Sequence, residues 1–263
     1  MNILIVNPII YTSETPEIKK VNSIKDTMSY DLCLAFTKKG YQVTLVAGDL
    51  YRPLEQETYP FSVVWAPCKL TKIFRPNVLP YCPEIKKLVR ENHYDLIISS
   101  EVFSLSSFML AGKCNNRLII WHELAKHNNL MKQIPSKFWY GIVAKLRFKK
   151  TKIVPRSAEA KNFISQFCGN VSETVIDHGV NLDKFEACTE KKNYFVVSSQ
   201  LIARKQIDKI ITAFGAFVRL HPEYRLYILG EGDKEAELKA LTEQEYLSEY
   251  VTCLGKVPHE TLK

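Results

Sequence analysis

The sequence predicts an α/β protein made of parallel sheets flanked by helices, in two lobes. Three observations carry this expectation. Short, near-continuous apolar runs such as Asn2-Ile-Leu-Ile-Val6, Val43-Thr-Leu-Val-Ala47 and Leu118-Ile-Ile-Trp121 read as strands buried on both faces. Between them lie stretches whose apolar residues recur at helical spacing, which gives the alternation of a doubly wound sheet. That rhythm stops at a polar, aperiodic stretch from Asn181 to Asn193 and then starts again, so a linker near residue 185 separates lobes 1–185 and 186–263.

Taken in order, Asn2 to Asn7 is the first strand. From Ile24 the residues Met28, Leu32, Ala35 and Phe36 step along one helix face, and Gly40 stands where a left-handed C-cap closes a helix. Val43 to Ala47 and Phe61 to Trp65 are strands. Pro83 to Arg90 is a helix begun by proline, whose missing N–H is no loss in a first turn. Leu96 to Ser99 and Leu118 to Trp121 are strands on either side of a helix from Phe103 to Ala111. Lys152 to Val154 and Thr174 to Ile176 are short strands around a helix from Ser157 to Phe167. The second lobe reads as a buried strand Tyr194 to Val197, a helix through Ile207, Ile210, Ile211, Phe214, Phe217 and Val218, a strand Leu226 to Leu229, a helix through Leu238 and Leu241, and a strand Val251 to Leu254. Pro258 begins a further helix, so the second lobe is expected to be incomplete at Lys263.

Composition narrows the function. With 46% hydrophobic residues in 263 the chain can bury real cores. No apolar run is long enough to span a membrane, and no signal segment precedes the first strand, so a cytoplasmic protein is expected, placed at the inner face of a membrane if it binds one. The seven cysteines are scattered without metal-ligand spacing and read as free thiols. A net charge of +8 favours polyanionic partners: phosphorylated small molecules, an anionic membrane face or nucleic acid. No nucleic-acid motif accompanies the charge. The first glycine is Gly40, so the first strand-helix turn lacks the glycines that bring backbone against a dinucleotide pyrophosphate.

Ligands of parallel sheets meet the loops beyond the carboxyl ends of the strands. In the first lobe these loops hold Asn7, Gly48-Asp49, Ser99-Ser100-Glu101 and His122-Glu123. His122 beside a carboxylate suits proton handling or hydrogen bonding to a hydroxyl, and equally suits a strand-end histidine bonded to backbone. In the second lobe Arg204 and Lys205 precede the N-terminus of a helix, where cations are disfavoured because the free N–H groups are already partly positive. An anion at that end removes the conflict; a solvated turn relieved by Asp208 is the alternative. From Pro135 to Arg156 the chain holds Lys137, Lys145, Arg147, Lys149, Lys150, Lys152 and Arg156 among aromatic residues and no acid. That pattern fits an anionic membrane surface or a core helix with a lysine-rich outer face.

Four blocks, Glu173 to Phe185, Val196 to Phe214, Leu226 to Leu238 and Val251 to Leu262, together resemble glycosyltransferase family 4, the retaining nucleotide-sugar enzymes of GT-B fold. The resemblance implies two Rossmann-like lobes, the second holding a nucleotide-diphosphate sugar and the first an acceptor, with no metal or other cofactor. It implies Lys205 on the donor diphosphate, Lys256 and Val257 at the nucleobase, and His122 near the donor sugar. Ser199-Gln200 stands in place of the family's Gly-Arg, so Gln200 replaces one diphosphate cation and Arg204 is the nearest substitute. Asp177-His178 stands in place of Pro-Asn, and the family's paired glutamates fall beyond Lys263. The implied activity is transfer of a sugar, with retention, to a glycan or lipid-linked acceptor in polysaccharide or lipopolysaccharide synthesis. The alternatives are a non-catalytic relative that binds a partner or phosphorylated ligand, and another GT-B enzyme such as a sugar-nucleotide epimerase.

Overall fold

The structure is a computed structural model and describes residues 1–257 except 12–16, 19, 26, 115 and 185–188. The expected helix start at Pro258 and the expected boundary near 185 lie outside the described residues. Two units separate, Met1–Val180 and Asn181–Lys263.

In the first unit six strands, β1 (Asn2–Val6), β2 (Gln42–Gly48), β3 (Ser62–Ala66), β4 (Leu96–Ser100), β5 (Leu118–His122) and β6 (Lys152–Pro155), form one parallel sheet in the order β3-β2-β1-β4-β5-β6. Because side chains alternate along a strand, Leu4 and Val6 enter one core while Ile3 and Ile5 enter another on the opposite face. Helices α1 (Met28–Lys38), α2 (Glu84–Glu91), α3 (Leu105–Leu110), α4 (Ile134–Phe138), α5 (Lys145–Arg147) and α6 (Ala158–Ile164) connect the strands, with a π-helical turn, Trp139–Ala144, joining α4 to α5. Helix α1 starts a turn later than its periodicity predicts, because the Thr27 hydroxyl accepts from the Tyr30 N–H and caps it there. Gly40 has φ +82°, the left-handed geometry expected after this helix.

Two strand expectations need correction. Thr174 to Ile176 forms no strand; next to β6 only Val171 bridges Ile153, and Ile176 N–H reaches the Pro155 carbonyl in isolation. The second concerns β7 (Tyr194–Ser198), which pairs with β8 (Arg225–Leu229) and then β9 (Val251–Gly255) in the order β7-β8-β9. The run Tyr194 to Val197 is apolar but not buried: Phe195 is 46% and Val196 53% exposed. Among the described residues β7 stands at the edge of this sheet and has no strand on its other side. Helices α7 (Ile207–Val218) and α8 (Glu235–Gln244) bury Leu226 and Ile228 on one face of this sheet, while Tyr194 packs edge-on against the partly exposed Tyr227.

Candidate functional site

In the first unit the strand order turns at β1 and β4, whose chains leave in opposite directions and open a crevice at their carboxyl ends. A cavity of about 520 Å³ occupies this position. Asn7 after β1, Ser100 at the end of β4 and Glu101 after it, Glu123 after β5, Arg156 after β6, and His178 line it.

Glu101 organises the polar wall. Its φ of +64° is costly for a residue with a side chain, and such strain persists only where surrounding contacts hold it. One carboxylate oxygen accepts from the Glu123 backbone N–H at 2.7 Å, and the other lies 2.9 Å from His122 Nδ1. That second contact has ion-pair distance without hydrogen-bond alignment, so neither ring nitrogen of His122 makes a well-formed hydrogen bond. His122 is fully buried, with its ring stacked on Phe163 and edge-on to Tyr140. It stands behind the cavity wall, and Glu101 rather than His122 lines the space.

Arg156 is the residue that sequence reasoning placed wrongly. Grouped there with the surface cations, it is 4% exposed and turned inward. Its guanidinium lies 4.1 Å above the Trp121 ring and donates to Glu123 at 2.8 Å, with His178 and Met28 also in contact. Burial draws its pKa below the ordinary arginine value, and Glu123, Glu101 and Asp177 oppose that shift. A signal was present in the sequence, since Arg156 follows directly on the β6 run, where a ligand-facing residue belongs.

The remaining basic run has one buried face and one exposed face. Tyr140, Ala144 and Phe148 are fully buried in the core. Outward, Met131, Ile134, Phe138, Ile142 and Leu146 are exposed at helical spacing, Phe138 by 59% and Leu146 by 77%, beside exposed Lys137, Lys145 and Lys149. Arg147 is engaged elsewhere, stacked on Phe108 and donating to its carbonyl at 3.0 Å.

In the second unit Gln200, Lys256 and Val257 follow strands β7 and β9 at one sheet edge, with Gly230-Glu231-Gly232 after β8 between them. The loops pack closely: Ser199 N–H donates to Leu229, Leu201 N–H to Glu231, and Gly230 N–H to Gly255. A Cβ on Gly230 would stand 1.8 Å from the Ser199 carbonyl, and on Gly232 2.1 Å from that of Leu201, so both positions require glycine. Arg204 and Lys205 sit in a 3₁₀ turn, Ala203–Lys205, immediately before α7. Gln206, at φ +53°, takes the cap position of α7 without a side-chain hydrogen bond to the helix N–H groups. Lys205 has no ion-pair partner among the described residues, Asp208 included. Lys256 approaches Glu231 at 4.0 Å. A groove of about 590 Å³ in this unit runs along apolar residues of α7 and β7, with Lys205, Gln206 and Lys209 also on its lining.

The family model for Glycosyltransferase Family 4 matches residues 26–184, and that for Glycosyl transferases group 1 matches residues 181–263. The alpha-monoglucosyldiacylglycerol synthase of Acholeplasma laidlawii is 26% identical over 151 residues, covering 56% of this chain; the chain spans 34% of that relative's length. Among solved structures, the sucrose-phosphate synthase of Thermosynechococcus elongatus superposes over 99% of this chain and 72% of its own, at 15% identity and a TM-score of 0.67. Anabaena HepE in complex with UDP superposes over 100% and 71%, at 17% identity and 0.63. Two parallel α/β units, matched by one family model across most of the first and by another across the second, place this chain in Glycosyltransferase Family 4.

Proposed function

We propose that this protein transfers a sugar from a nucleoside-diphosphate donor to an acceptor hydroxyl with retention at the anomeric carbon. The second unit holds the donor and the first receives the acceptor. The observation that carries this reading is the start of α7, where no side chain caps the helix N–H groups and Lys205, in the turn just before it, has no ion-pair partner among the described residues. An anionic diphosphate satisfies both at once. Lys205 and Arg204 then meet the charge that develops on the departing diphosphate, so the reading needs no metal. Lys256 and Val257 face the base, and Gln200 offers a neutral hydrogen bond where relatives of this pattern have a cation. The HepE structure holds UDP, which supports a uridine donor.

In the first unit the cavity offers two carboxylates, an arginine and asparagines over apolar walls, a lining suited to a polyhydroxylated ring. Glu101 is the group placed to accept a proton or hydrogen bond from the acceptor hydroxyl. His122 acts through Glu101, holding its carboxylate from behind. The exposed apolar stripe beside Lys137, Lys145 and Lys149 supports docking on an anionic membrane and a lipid-linked acceptor. A relative named for a glucosyldiacylglycerol agrees with that choice.

A second reading, binding of a nucleotide without transfer, is favoured by Gln200 standing where a second cation would grip the diphosphate. Incubation with labelled UDP-sugars and lipid or glycan acceptors separates the two. Label in the acceptor, with the anomer assigned by NMR, supports transfer. Saturable UDP binding without labelled acceptor supports the second reading, and conversion of the donor sugar to its epimer would replace both. Absence of nucleotide binding removes all of them.

A further inference from the structure

Cys68 and Cys82 face each other across a short antiparallel contact in the first unit. Lys69 and Tyr81 form an isolated antiparallel bridge, with the Lys69 N–H donating to the Tyr81 carbonyl at 2.8 Å. The next opposed pair in that register is Cys68 and Cys82, and their Sγ atoms are 3.6 Å apart. Directly opposed residues hold their Cβ atoms about 4.5 to 5.5 Å apart, within reach of the roughly 3.5 to 4.5 Å that a disulfide spans. Side-chain rotation with a small approach of the two segments therefore closes the bond.

The two sulfurs are unequal. Cys82 is fully buried, whereas Cys68 is partly exposed. Gly48 makes room for the Cys68 sulfur, since a Cβ there would stand 3.0 Å from it. The contact with Cys82 lowers the Cys68 thiol pKa against burial and the nearby Asp49 carboxylate, and the same contact together with burial raises that of Cys82. An accessible thiol of lowered pKa beside a buried second thiol is the arrangement of an attacking and a resolving cysteine.

We propose that Cys68 and Cys82 are a peroxide-reactive dithiol that closes to an intramolecular disulfide. The Cys68 thiolate attacks the O–O bond of a peroxide; the S–O bond forms, the O–O bond breaks, and hydroxide leaves as water after taking a proton. Cys82 sulfur then attacks the sulfenic sulfur as it gives up its proton. The S–S bond forms, the S–O bond breaks, and a second water departs. Two thiols are oxidised by two electrons in all, and one hydrogen peroxide is reduced to two waters.

The bond would fasten both ends of the segment between them. That segment is folded by local turns, with the N–H groups of Ile73 and Phe74 on the Leu70 carbonyl and those of Val78 and Leu79 on Arg75. It contributes Asn77, Val78 and Pro80 to the first-unit cavity, so oxidation rigidifies one wall of that space. The inference does not depend on the transferase reading.

The test treats the whole chain with hydrogen peroxide at a few equivalents, blocks remaining thiols with N-ethylmaleimide, and maps peptides without reduction. The expected product is a Cys68–Cys82 cross-linked peptide about 2 Da lighter than its two thiol parts, reversed by dithiothreitol. Amide exchange across residues 70–80 should slow with it. Cys82→Ser should stop at a Cys68 sulfenic acid trapped by dimedone, and Cys68→Ser should leave Cys82 reduced. Wild-type protein in which Cys68 proceeds to sulfinic acid without the cross-link, or reacts no faster than the partly exposed Cys253, overturns the proposal. Should either variant fail to fold, the wild-type peptide map decides alone.

Discussion

Glu101 Oε2 stands 2.9 Å from His122 Nδ1 while its other oxygen accepts from the Glu123 N–H, so one carboxylate ties the ends of β4 and β5 together. This explains how Glu101 tolerates a left-handed backbone. It also couples the two residues in stability. Glu101→Gln and His122→Gln should each destabilise the first unit by about 1 to 3 kcal/mol, and the double variant by less than their sum, with a coupling of about 0.5 to 3 kcal/mol. Trp65, Trp121 and Trp139 are the only tryptophans in the sequence and all lie in this unit. Their fluorescence in urea therefore reports it separately, and strict additivity would dissolve the link.

Arg156 should matter more than its ion-pair partner. Glu123 is 59% exposed at its side chain, so removing it leaves a cation still resting on Trp121, whereas Arg156→Ala opens space over that ring. The expected urea midpoints fall in the order wild type, Glu123→Ala, Arg156→Ala. The reverse order would mean that the guanidinium contributes little beyond the pair itself.

At the start of α7, Lys205→Ala should weaken UDP binding about tenfold or more, as loss of a charge-assisted bond implies, and Arg204→Ala should weaken it less. Titration calorimetry measures both. Equal affinity in wild type and Lys205→Ala would remove the diphosphate from this helix end.

Close packing of the β7 and β8 loops makes a separate prediction. Gly230→Ala and Gly232→Ala drive a Cβ into backbone carbonyls and should each cost more than about 2 kcal/mol. Gly255 also has positive φ, at +69°, but open space around it, so Gly255→Ala should cost only about 1 kcal/mol. Hydrogen exchange along β8 ranks the three, and equal loss of protection would show that backbone angle alone sets the cost.

Co-sedimentation with vesicles tests the outward stripe. Phe138→Ser with Leu146→Ser should reduce binding at every lipid charge, while Lys145→Gln with Lys149→Gln should reduce it only on anionic vesicles, each lysine contributing about 1 kcal/mol there. High salt should release the second component and spare the first. Indifference to all four substitutions would return the stripe to an ordinary solvated face.

Much of this molecule follows from local pattern. The apolar runs and helical spacings settle nine strands closely, with Thr174 to Ile176 the exception, because a strand needs a partner and a period cannot supply one. The edge position of β7 was equally hidden: an apolar run reports what can be buried, while pairing order decides what is. For the sites, sequence placed Glu101, His122, Arg204 and Lys205 at strand ends or a helix start, since connectivity alone puts them there. It could not say that His122 lies behind Glu101, that Arg156 turns inward, or that Cys68 meets Cys82 across 14 positions. Those facts belong to the tertiary structure, because each depends on segments distant in sequence being packed side by side.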